Sequence, residues 1–134
     1  MSERSIRRIH HVQITIPPGA EAAAREFYCG TLGLRETAKP ESLAGRGGFW
    51  LELGDQQLHV GVEDGFDRLT TKAHVAYEVD DAAYWQQRLE SAGATIAVSV
   101  PIPGFARFET RDPFGNRIEL IQPLPEADSE SETT

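Results

Sequence analysis

The sequence predicts an α+β fold built from two β-α-β-β-β modules in tandem, and three observations carry that expectation. A strand, a helix closed by glycine and three further strands can be read twice along the 134 residues. The two passes keep step, because Gly33 and Gly93 are 60 positions apart and so are His59 and Glu119. His11 and His74 are 63 apart, and the longer Pro17-Pro18-Gly19-Ala20 connection of the first module absorbs the difference.

In the first module, residues 9–16 alternate, with Val12, Ile14 and Ile16 on one face and His11, Gln13 and Thr15 on the other, as a half-buried strand does. Pro17-Pro18-Gly19 ends it. Residues 20–32 place Ala24, Phe27, Tyr28 and Thr31 at helical spacing, and Gly33 suits the stop. A short strand at 34–37 and a loop at 39–48, rich in proline and glycine, follow. Residues 49–53 and 57–63 read as a hairpin turning at Gly54-Asp55. With Leu53 and Gln56 flanking that turn, Trp50 lies opposite His59. Trp50, Glu52, Gln57 and His59 then share one face, and Leu51, Leu58, Val60 and Val62 the other.

After a polar connector at 64–72, the pattern restarts. Residues 73–79 form a strand led by His74. A helix at 80–92 carries Ala82, Trp85 and Leu89 on one stripe, and a strand at 95–100 runs into the loop Pro101-Ile102-Pro103-Gly104. Residues 105–111 and 117–122 make a second hairpin around 112–116. These bounds give one domain over 1–124, with modules at about 6–64 and 72–124. Residues 125–134, with Glu126, Asp128, Glu130 and Glu132 and no aromatic or β-branched apolar residue to anchor them, read as a disordered acidic tail.

Composition narrows the partners. A formal net charge of -8 argues against a nucleic-acid backbone, and no run of about 18 apolar residues exists to span a membrane. Cys29 stands alone, so no internal disulfide forms, and the first residues lack a signal-peptide core. A cytoplasmic protein with a small-molecule substrate is the expectation.

The register of the repeat lays His11 on His74 and His59 on Glu119, all on the face turned away from the aliphatic residues. Three imidazoles and a carboxylate on strands form a ligand set suited to a borderline divalent metal. Singly, each reads more readily as a hydrogen-bonded or exposed polar group than as a ligand, and it is the coincidence with the repeat that joins them. Alternation also places Trp50, Arg107 and Glu109 on that face as candidate substrate contacts. Arg107 would hold a substrate carboxylate or phosphate, or else a rim ion pair with Glu109. Trp50 suits an apolar wall or a dimer contact. Gln13 and Glu78 read as wet-face residues, His10 as no ligand, and Cys29 as small core filler.

His11-Val12, Phe27-Tyr28 before Leu32-Gly33-Leu34, His74, and the run Asp112-Pro113-Phe114-Gly115-Asn116-Arg117-Ile118-Glu119-Leu120 together resemble the vicinal oxygen chelate superfamily of glyoxalases, bleomycin-resistance proteins and extradiol dioxygenases. The resemblance spans about residues 6–124. It implies paired modules whose mixed, curved sheets form a metal-binding cup, with ligands at His11, His59, His74 and Glu119. It also implies a divalent ion (Zn, Ni, Mn or Fe(II)) and a homodimer. The implied function is a metal-dependent lyase or isomerase acting on an oxygen-rich substrate through a metal-stabilised enolate or alkoxide, with Glu119 as general base. Two alternatives stay open. One is an extradiol-type Fe(II) ring-cleaving dioxygenase using His11, His74 and Glu119, with His59 behind them; the other is a non-catalytic protein that sequesters a drug or metabolite.

Overall fold

A computed structural model of the chain describes residues 3–125, so beyond residue 125 the expected acidic tail lies outside the described residues. The chain divides into two compact units, Met1–Phe66 and Asp67–Thr134.

In the first unit, β1 (His11–Ile16) leads to α1 (Glu21–Arg25), which runs on as a π-helical stretch over Glu26–Thr31. Then come β2 (Arg35–Thr37), a 3-10 segment (Glu41–Arg46), β3 (Phe49–Leu53) and β4 (Gln56–Val62). The strand order is β1-β4-β3-β2, with β1 parallel to β4 and the other pairings antiparallel. The second unit holds β5 (His74–Glu78), α2 (Ala82–Ser91), β6 (Ala97–Val98), β7 (Phe105–Arg111) and β8 (Arg117–Pro123). Its order, β5-β8-β7-β6, reproduces that of the first unit strand for strand, again with one parallel pair. Two mixed four-stranded sheets therefore make up the fold expected from the repeat. The equivalence extends to single residues: Gln13 pairs with His59 and Ala76 with Glu119, each two positions after the leading histidine of its strand.

Each unit has its own apolar layer. Ile16, Ala24, Phe27, Tyr28, Phe49, Leu51 and Leu58 are buried in the first, and Tyr77, Ala82, Leu89, Phe108, Ile118 and Leu120 in the second. Removing side chains of this size from water stabilises by roughly 1.5–3 kcal/mol each, which fixes the sheet face opposite the polar residues. Asp81 caps α2 by accepting from the Tyr84 amide at 3.2 Å.

Three local expectations are corrected. The helix expected at 20–32 does not stay α-helical: the Leu32 amide donates to the Phe27 carbonyl five residues back, at 2.9 Å. That wider turn brings Phe27 and Tyr28 into the core together, their rings edge to face with centroids 4.9 Å apart. The loop at 39–48 contains the 3-10 segment, opened by Pro40, whose carbonyl accepts from the Leu43 amide at 2.9 Å. The strand expected at 95–100 shrinks to Ala97–Val98. Side chains capture the carbonyls on either side, Thr110 Oγ1 donating to Thr95 and Arg107 Nη2 to Val100.

The Asp112–Asn116 turn is built by one carboxylate. Asp112 Oδ1 accepts from the amides of Phe114 (2.9 Å) and Asn116 (2.8 Å), and Oδ2 accepts from Asn116 Nδ2 (2.8 Å). This turn sets the β7–β8 register and hence where Glu119 points.

Candidate functional site

Glu119 projects from β8 between Ile118 and Leu120, which face the apolar layer at 2% exposure each, and is itself only 7% exposed. Pairing of β7 with β8 sets Glu109 directly opposite Glu119, a like-charge juxtaposition that is unfavourable unless neutralised. Two arginines neutralise it along the diagonals. Arg107 Nη1 donates to Glu119 Oε2 at 3.1 Å, while Arg117 makes a bidentate pair with Glu109 at 3.2 and 2.9 Å. The hydrogen bond from Arg117 holds the Glu109 carboxyl below the usual carboxylate range, against the opposing effect of burial. The Arg107–Glu109 pair considered from the sequence is therefore exchanged for two other pairs. Each arginine reaches across to the opposite strand rather than along its own.

The second oxygen of Glu119 meets His74, whose Nε2 lies 3.2 Å from Oε1. The other ring nitrogen, Nδ1, is 3.1 Å from the Lys72 carbonyl, which can only accept, so Nδ1 carries a proton. An ionised carboxylate also only accepts. The space between His74 Nε2 and Glu119 Oε1 is then favourable only with a second proton on the imidazole or a cation between the two atoms.

In the first unit, His59 is 5% exposed and is held between two rings. His11 stacks on one side at 4.0 Å and 14° between planes, and Trp50 on the other at 4.0 Å and 5°. The Trp50–His59 pairing expected from the hairpin is present in the sheet register. His59 Nε2 lies 2.7 Å from Gln57 Oε1. Burial first, then the neighbouring His11 and His10, push the His59 pKa down to about 4, so the ring is neutral at pH 7. His10 and His11 share a hydrogen bond between their Nδ1 atoms at 3.0 Å. These rings border a cavity of about 590 Å³ whose wall includes Lys39, Arg46 and Gln57. The sequence reading passed over Lys39 and Arg46, because a segment with four prolines and glycines reads as connector. Their one signal was two cations bracketing it.

The four sequence-derived metal candidates are thus joined two by two, His11 with His59 and His74 with Glu119. Among the described residues, no group of three or more His, Cys, Asp or Glu side chains is arranged to hold a metal ion. The second pair fits a metal. Ligand atoms bound at about 2.0–2.2 Å to one ion lie roughly 3.0–3.4 Å apart on neighbouring corners. The 3.2 Å between His74 Nε2 and Glu119 Oε1 falls in that range, and the carbonyl on Nδ1 is the outer support that metal-bound histidines receive. The first pair does not converge as it stands: an imidazole lone pair lies in the ring plane, and nearly parallel planes have no common point near both rings.

The family model described as Glyoxalase/Bleomycin resistance protein/Dioxygenase superfamily matches residues 8–120. The chain belongs to this superfamily. A Bacillus anthracis protein of known crystal structure, described as a glyoxalase family protein, is 39% identical over 91% of this chain and 99% of its own, and superposes with a TM-score of 0.84. FosX from Listeria monocytogenes, a fosfomycin resistance protein solved with Mn(II) and 1S,2S-dihydroxypropylphosphonic acid, is 15% identical over 91% of this chain and 96% of its own, with a TM-score of 0.74. The antibiotic-binding protein TnmS3 from Streptomyces sp. CB03234 is 22% identical over 90% and 99%, with a TM-score of 0.66. At those two identities the likeness is one of fold. No curated protein matches the chain. For this superfamily member, the tandem modules first seen as a repeat are the family architecture.

Proposed function

We propose that the protein is a metal-dependent enzyme of the glyoxalase superfamily acting on a small oxygen-bearing substrate, with His74 and Glu119 among its metal ligands. The observation that carries this reading is the 3.2 Å approach of His74 Nε2 to Glu119 Oε1, which a divalent cation would bridge in place of a proton. A divalent ion bound there would act as a Lewis acid on a substrate oxygen.

The chain's own residues supply the rest. Lys72 fixes the His74 tautomer through Nδ1, leaving Nε2 to ligate. Arg107 holds Glu119 Oε2, so a carboxylate that is 7% exposed keeps its orientation and has a cationic partner. Glu119 is the group placed to take a proton from the substrate, because its two oxygens have separate partners and one can be released while the other stays bound. In this reading Arg107 positions Glu119 rather than touching the substrate, and Glu109 is spent on Arg117. The ligand set drawn from the sequence also includes His11 and His59; one of those rings must turn from its stack to ligate, so each is tested by itself. Trp50 walls the cavity of the first unit. A homodimer belongs to the same proposal.

A sequestering protein is the second reading, and one observation favours it. Every candidate side chain already has a partner within its unit: Glu119 has Arg107 and His74, and His59 has Gln57 and two stacked rings.

Metal titration separates the two readings. The wild type is expected to take up Zn(II), Ni(II), Mn(II) or Fe(II) near one equivalent, with affinity about 100-fold lower in His74→Ala and Glu119→Gln. Unchanged affinity in both variants, or no uptake of any of these ions by the wild type, contradicts the enzyme reading.

A further inference from the structure

The cavity of the first unit carries information about ligand class that the metal pair does not. Acidic residues outnumber Lys and Arg by 21 to 13 in this chain, yet no Asp or Glu lines that cavity, while Lys39 and Arg46 both do. Lys39 Nζ gives one proton to the Gly47 carbonyl at 2.7 Å, which leaves two for a ligand. Arg46 forms no ion pair among the described residues. Glu21 accepts from the Gly48 amide at 3.1 Å, a bond that with smaller help from Arg25 and Lys39 holds its pKa down, and among the described residues it makes no ion pair with Lys39.

The aromatic stack adds to the same bias. His59 has both faces covered, so it can offer the cavity only its edge, while His11 and Trp50 each keep one face clear of the stack. The indole N–H of Trp50 can only donate, which suits an anion rather than a cation.

We infer that this cavity binds a small organic anion, a carboxylate or phosphonate, with Lys39 and Arg46 as the charged wall and the rings of His11, His59 and Trp50 beside them. The inference rests on the proposed function only in making that anion the substrate; binding itself needs no metal.

The test uses the full chain treated with EDTA and titrated calorimetrically with phenylphosphonate, benzoate and uncharged benzamide, while the indole N–H of Trp50 is followed by NMR. Both anions are expected to saturate and to shift the Trp50 signal, with benzamide at least about tenfold weaker. Lys39→Gln and Arg46→Gln should each weaken benzoate by roughly tenfold, and Arg88→Gln on α2 should not change it. Equal binding of benzamide and benzoate, no binding of either anion by the wild type, or binding unaffected by both cavity substitutions overturns the inference. Metal uptake that persists when anion binding fails leaves the proposed function standing, and anion binding that persists without metal uptake contradicts that function alone.

Discussion

Glu119 shows how a buried carboxylate is supplied with partners. Its neighbour across the strand is another carboxylate, and the fold offsets both by sending Arg107 and Arg117 across the sheet on opposite diagonals. Removing Arg107 leaves Glu119 with His74 alone in a nearly closed environment, so Arg107→Gln should cost roughly 3 kcal/mol, the low end for breaking a buried pair. Chemical denaturation measures it. If His74 and Glu119 hold a divalent ion as proposed, that ion would supply the missing positive charge, and the loss should shrink when Zn(II) is present. A loss that is equal with and without metal would detach Arg107 from the metal site.

At the scale of elements, the segment from Lys39 to Gly48 decides the shape of the first unit's cavity. It closes on Gly47 and Gly48, at φ of 75° and 77°, and Gly48 packs so tightly on β4 that a Cβ there would run into the Val60 carbonyl. Gly48→Ala should therefore destabilise by about 2 kcal/mol or more, from strained backbone and a clash that no rotamer relieves, and thermal melts read it directly. The sequence made the hairpin beside this segment legible down to the Trp50–His59 pair, since strict alternation and a Gly54-Asp55 turn leave one register. It could not reveal the 3-10 segment or the π-helical stretch, where glycine and proline mark a break without specifying what replaces the regular element. Nor could it give the shortening of β6, which depends on Thr110 and Arg107 reaching its flanking carbonyls from another strand. The same limit governed the site. Alternation put Arg107, Glu109, Arg117 and Glu119 on one face, but which acid each arginine takes is settled by diagonal reach across β7 and β8.

For the molecule as a whole, the repeat is the organising fact, because two units with the same strand order place His11 and His59, and His74 and Glu119, at equivalent positions. The second unit also exposes a run of apolar side chains around β6, with Val98 at 93%, Val100 at 77% and Phe105 at 40%. Such a run is costly in water and suits the proposed homodimer. Light scattering is expected to give about twice the 14.8 kDa chain mass, falling towards one chain when Val98 and Val100 are both replaced by lysine. A monomeric wild type removes that part of the account.

The central claim, that His74 and Glu119 hold a metal, is tested most directly by anomalous diffraction from crystals grown with Zn(II). The expected result is a peak within about 2.0–2.2 Å of His74 Nε2 and Glu119 Oε1. Zinc bound elsewhere, with the two side chains still 3.2 Å apart and no density between them, would contradict it.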